Sequence, residues 1–325
     1  MSLNIILSTV QTQMNRYFCP IILTFGISGS LLNILLFLRK RFRNISCCIY
    51  FLGASIAMLI AMSFGLISRA HSAYHPDPNN IYEFCKARVY FGQSATMTYR
   101  WCLTMACIDR YASSSVNVRA REFSRSYIAY RVLLIIAIIW IILPVHNLIF
   151  HTIDGGLCVW SPVTVAMYNS IFTIILGGIL PPLIMITCAV LIRNNLKYKR
   201  KRRQNNCNAV SETAADRIVR VRDRQTLIML FIQTIFYIIL TIPWTTFLVY
   251  SAFTSNLNNK TSDRKSIESF AQYLTETLAY TYSTLSFYLY TLTSPTFRQE
   301  LIKIIYSVSK CEIPRYDRHQ RIEPN

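Results

Sequence analysis

The side chains with the most to do chemically lie along one stretch, Cys85 to Tyr111, CKARVYFGQSATMTYRWCLTMACIDRY. Asp109 and Arg110 set a carboxylate beside a guanidinium, a pair able to form charge-assisted hydrogen bonds. At an apolar boundary each charge needs a partner or water, because an unpaired buried charge costs several kcal/mol. A helix rises about 1.5 Å per residue, so the span from Cys85 to Arg110 covers roughly 37 Å. That is a bilayer core of about 30 Å plus one interface. The stretch therefore predicts a rod with a thiol at one mouth and an ion pair at the other. Arg100 lies about 15 Å above Arg110 on the same helix, deep in the apolar span, with no acid at its depth. Two readings stand open: part of a polar relay, or a guanidinium satisfied by carbonyls and by Ser and Thr hydroxyls.

Composition says what must position these groups. The 325-residue chain is 53% hydrophobic and only 15% charged, too apolar for an ordinary soluble domain. Its net charge of +19 would favour nucleic acid in a soluble protein. Here the basic residues crowd into short connectors between apolar runs, so they read as topology signals facing the cytosol and its anionic lipids, and no nucleic-acid partner is expected. Ten cysteines, with no CxxC pair, argue against a metal site and for one disulfide. The first residues lack the basic n-region and small-residue cleavage site of a signal peptide, so the first spanning helix is expected to serve as the membrane address.

Seven runs are long and apolar enough to span a membrane: 17 to 38, 46 to 70, 82 to 112, 129 to 150, 166 to 192, 223 to 251 and 269 to 292. Cations follow the first, third and fifth, as in Arg39-Lys40-Arg41-Phe42-Arg43 and LKYKRKRR. Connectors 71 to 81 and 151 to 165 contain no Lys or Arg. By the positive-inside rule the N-terminus is outside and the C-terminus cytoplasmic. Sequence divides the chain into an extracellular N-terminus (1–16), a seven-helix transmembrane domain (17–292), and an amphipathic helix with a cytoplasmic tail (293–325). The amphipathic helix, FRQELIKIIYSV, puts Phe297, Leu301, Ile304, Ile305 and Val308 on one stripe and is expected along the inner membrane surface. Asn259 opens a sequon on the outer side. Cys311 could carry a palmitoyl chain or stay a free thiol.

Seven helices, Cys85 and Asp109-Arg110-Tyr111 together resemble a rhodopsin-like (class A) G-protein-coupled receptor. Further matches are Asn33 on the first helix, Trp140 on the fourth, Pro181 and Pro243 on the fifth and sixth, and Tyr290 on the seventh. The resemblance implies a Cys85–Cys158 disulfide and a plasma-membrane receptor for an extracellular ligand that activates a heterotrimeric G protein. Asp223, about 30 Å before Pro243 along the sixth helix, matches the family's acidic partner for the arginine. A switch follows in which Arg110 pairs with Asp109 and Asp223 at rest and is freed when the sixth helix swings out. Val118 and the basic helix ends would complete the G-protein platform. Departures are Met58 for the second-helix aspartate, Thr241 for the sixth-helix tryptophan, Ala189 for the fifth-helix tyrosine and Ser286-Phe287 for the seventh-helix Asn-Pro. They put the usual relay in doubt and predict no sodium pocket.

By depth, candidate ligand contacts in the outer half are Arg69, Arg88, Gln93, His146, Tyr273, Glu276 and Tyr280. Taken singly, each is more readily a satisfied interfacial residue than a ligand contact. Gly92 stands where an amine receptor carries aspartate, and Tyr280 where an opsin carries its Schiff-base lysine. A peptide ligand is favoured, with no cofactor. An enzyme has nothing to stand on, for there is neither a Gly-rich phosphate loop nor HExxH. The alternatives are a seven-helix channel or transporter, or a receptor-shaped decoy that does not couple.

Overall fold

The computed structural model describes residues 3–74, 78–115, 117–154, 157–205, 214–254 and 261–309. Seven long helices run through it: α1 (Leu3–Phe37), α2 (Ser46–Ser72), α3 (Tyr82–Ser114), α4 (Ser126–Phe150), α5 (Val163–Lys199 and on through Asn205), α6 (Ala214–Thr254) and α7 (Ser262–Thr293). An eighth, α8, covers Pro295–Ser309. A two-stranded antiparallel hairpin, β1 (His151–Asp154) with β2 (Leu157–Trp160), follows α4. Five of the seven long helices are apolar enough to cross a membrane by length and composition; α3 and α7, richer in polar side chains, fall short of that measure. Helix α3 is central, packing against α2, α4, α5 and α6.

Helix α4 shows how the pattern is used. SYIAYRVLLIIAIIWII is apolar almost all round, yet only Ala129, Ile136 and Trp140 are buried, one stripe at helical spacing. Leu134, Ile135, Ile138 and Ile142 point out. In water such a surface would seek a partner; against lipid it needs none.

Prolines decide where helices deform. Pro20 has no N–H for the Arg16 carbonyl, and the chain just before it widens into a π-helical turn, Met14–Phe18. The stranded Arg16 carbonyl takes the Tyr74 hydroxyl at 3.4 Å. Pro181 likewise strands the Gly177 carbonyl within a second π-helical turn, Ile174–Ile179. Tyr237 on α6 donates to Gly177 at 3.1 Å, and the Trp101 indole to Leu176 at 3.0 Å. Each stranded carbonyl takes a bond from another segment of the bundle.

Element boundaries differ from the apolar runs. Residues 3–16, expected as an N-terminal extension, are helical and continuous with the first span, since LNIILSTVQTQ contains no breaker. The basic run after α5 and the residues before 223 and 269 also continue their helices. Hydropathy locates the apolar part of a helix, whereas backbone bonding carries on into polar sequence until Gly, Pro or a turn interrupts it. On α8, Phe297 is buried and Leu301 and Ile304 half-buried, while Ile305 shares an exposed face with Ile302 and Tyr306. The expected single stripe is thus split between the bundle and the outside.

Candidate functional site

At one end of α3 the Asp109 carboxylate is fully buried and Arg110 only 6% exposed. The Arg110 guanidinium reaches back to Asp109 Oδ2 from Nε at 3.1 Å and Nη2 at 2.7 Å. Ser46, at the start of α2, donates to the same oxygen at 2.8 Å. Ser124, in the turn before α4, donates to Oδ1 at 2.9 Å. Four donors from three segments therefore neutralise one carboxylate, the geometry that makes a buried charge tolerable. Tyr111 is half-buried and Val118 exposed. The Asp223 side chain lies outside the described residues, as do Asn259 and Cys311. Nearby, Glu300 on α8 binds Arg41 at 2.9 Å and Lys303 at 3.0 Å. Burial alone would raise its carboxyl, but these cations outweigh burial and hold it below the ordinary carboxylate range.

Further along the bundle, Tyr290 accepts a hydrogen bond from Gln233 of α6 and packs among Phe37, Phe51 and Phe297. Asn33 is fully buried, and neither side-chain amide atom finds a partner among the described residues. Met58 is buried at the position where the resemblance would put a carboxylate.

At the Cys85 end a cavity of about 480 Å³ opens between α3, α5, α6 and α7, within the roughly 300–1,000 Å³ of small-molecule sites. Cys85 and Cys158 are joined in a disulfide, Cα atoms 5.8 Å apart, which ties β2 over the cavity mouth. Arg88, Gln93, Glu276 and Tyr280 line the space together. Arg69, Tyr273 and His146 stand behind it. Arg69 is in an ion pair with Glu276 and donates to Thr277 at 2.9 Å, with its guanidinium 4.9 Å from the Tyr273 ring centroid. His146 meets the Asn169 amide oxygen at 3.0 Å, and Gln93 donates to the same atom at 2.8 Å. His151, on β1, also lines the cavity; burial depresses its imidazole to about 4, opposed by the Asn147 carbonyl.

Arg100 forms part of the floor and is 3% exposed. Tyr237 and Tyr99 stand beside it. A Cβ on Gly177 would stand 2.6 Å from Arg100 Nη1 and 2.8 Å from Met97 Cε, so a side chain there would push both of these flexible ends aside.

Several functional candidates escaped the reading of sequence. Gln233 and Asn169 are amides within apolar runs, a signal available in principle. Ser46 and Ser124 carry no such mark, because a lone serine is common anywhere.

A family model described as "7 transmembrane receptor (rhodopsin family)" matches residues 29–290, and the chain belongs to that family. It is a rhodopsin-like G-protein-coupled receptor by family, built of apolar helices as a multi-pass membrane protein. No curated protein matches it.

Proposed function

We propose that the protein is a plasma-membrane receptor that takes an extracellular ligand, a peptide by preference, into the cavity beneath the Cys85–Cys158 bridge and activates a heterotrimeric G protein at the Arg110 end. One observation carries the reading: a single helix, α3, floors a ligand-sized cavity with Arg100 and ends in the Asp109–Arg110 pair. A ligand that moves α6 or α7 against α3 then acts on both ends of one rod. The N-terminus is outside and the C-terminus in the cytoplasm, as the connector charges require. Residues 17–292 form the receptor domain. Arg110, Tyr111, Val118, Tyr290 and Asp223 belong to the coupling face. Helix α8 lies along the inner leaflet with Ile302, Ile305 and Tyr306 toward lipid, Cys311 is its palmitoyl site, and Asn259 is glycosylated.

The test is nucleotide exchange on a panel of purified G proteins, with the receptor in nanodiscs and a peptide library as agonist source. An active peptide is expected to raise exchange in wild type. In Arg110→Ala it is expected still to bind but no longer to stimulate. Binding without exchange on any G protein identifies a decoy, and ligand-gated conductance in place of exchange identifies a channel.

A further inference from the structure

The charges around the cavity do not balance. Glu276 is the carboxylate in the wall, and Arg69 already holds it. Arg100, on the floor, forms no ion pair with any described carboxylate, and its Nε has no partner among the described residues. A guanidinium so nearly excluded from solvent and lacking a counter-ion is expensive to keep. The chain nonetheless makes space for it: Gly177 lets Nη1 rest where a Cβ would stand 2.6 Å away. Its neighbours suit a role in binding. Tyr99 stands beside the guanidinium and lines the cavity, where a phenol can donate to an anion. The Tyr237 hydroxyl is spent on the Gly177 carbonyl.

We infer that Arg100, assisted by Tyr99, seats a carboxylate of the ligand at the floor of the cavity, an inference that rests on the proposed receptor function. The incoming anion supplies the missing counter-charge in a dry, low-dielectric site where such a bond is strong. A planar monoanion matches one guanidinium fork and one hydroxyl. The carboxylate has two sources. It is the C-terminus of a peptide whose last residues fill the space from Arg88 down to Arg100, about 18 Å along α3, or it is a small organic acid.

The experiment compares acids with their amides. Receptor in neutral-lipid nanodiscs is titrated with hexapeptide pools bearing free or amidated C-termini, and with 4-phenylbutyrate and indole-3-propionate beside their primary amides. Binding is read by thermal shift without any G protein. At least one acid is expected to bind roughly tenfold or more tightly than its amide. Arg100→Gln should erase that gap and Arg100→Lys should keep part of it. The arm that responds names the source. Acids that never outbind their amides in wild type, a measurement needing no variant, overturn the inference, and so does a gap that Arg100→Gln preserves. Should Arg100→Gln fail to fold, Gly177→Ala replaces it, as the added methyl displaces Nη1 and should shrink the gap. Nucleotide exchange is scored separately. Acid-selective binding with no exchange keeps the site and removes coupling, whereas exchange driven equally by acids and amides keeps coupling and removes the site.

Discussion

Ser124→Ala is the sharpest probe of the Arg110 end. The serine hydroxyl donates to Asp109 Oδ1 at 2.9 Å and lies 3.0 Å from the Ser46 hydroxyl. It is the single described donor to that oxygen, since Arg110 and Ser46 both serve Oδ2. Alanine fits the same space and leaves a buried anionic oxygen without its bond. Hydrogen bonds to charged groups are worth about 1.5–3 kcal/mol, so the state that holds Asp109 in this cradle should lose that much. If the cradle is the resting latch, the equilibrium moves toward the released state by roughly 10- to 150-fold. Ligand-free nucleotide exchange should rise by up to that factor, saturating once the released state dominates. Ser46→Ala should act in the same direction, and the double variant should fall short of the sum because the two hydroxyls touch. The assay is basal exchange at matched surface expression, with thermal unfolding in parallel. A lower melting temperature with unchanged basal exchange would mean that the cradle is purely structural and would refute the latch.

Other consequences can be measured directly. Reducing Cys85–Cys158, which are 73 residues apart, should lower stability by about 2–5 kcal/mol; thermal unfolding with and without reductant checks it, and an unchanged transition is the contrary result. Glu276→Leu alone should destabilise by about 3–5 kcal/mol by stranding buried Arg69, whereas Arg69→Met with Glu276→Leu should restore most of the loss. Single and double variants melting alike would show that the pair does not matter. His151 titrates at about 4 in the fold against 6.5 in an unfolded chain. The unfolded chain therefore binds the extra proton first, so the stabilisation is complete above 6.5 and is lost as pH falls from 6.5 toward 4. His151→Gln should flatten the melting-temperature profile across that window, and a profile with the wild-type slope counts against the assignment.

Much of the architecture could be read from sequence because a bilayer imposes simple rules. Apolar length, cation placement and the Cys85-to-Arg110 spacing each report one dimension or one side of the membrane, so local sequence suffices to find seven helices and the ends of α3. Helix boundaries were less legible, since α1, α5, α6 and α7 continue past the apolar residues that hydropathy detects. The sites depended on three dimensions. Whether Glu276 would face Arg69 is a matter of helix rotation, and only packing settles it. Ser46, Ser124 and Asn169 acquire meaning from residues 63, 15 and 76 positions away. A hydrogen bond needs its partners within about 3 Å, and nothing in a linear order of residues carries that distance. Chain order determined which groups are charged and roughly how deep they lie; the fold decided which charges are paired among the described residues and set Arg100, with no described carboxylate beside it, at the floor of a cavity.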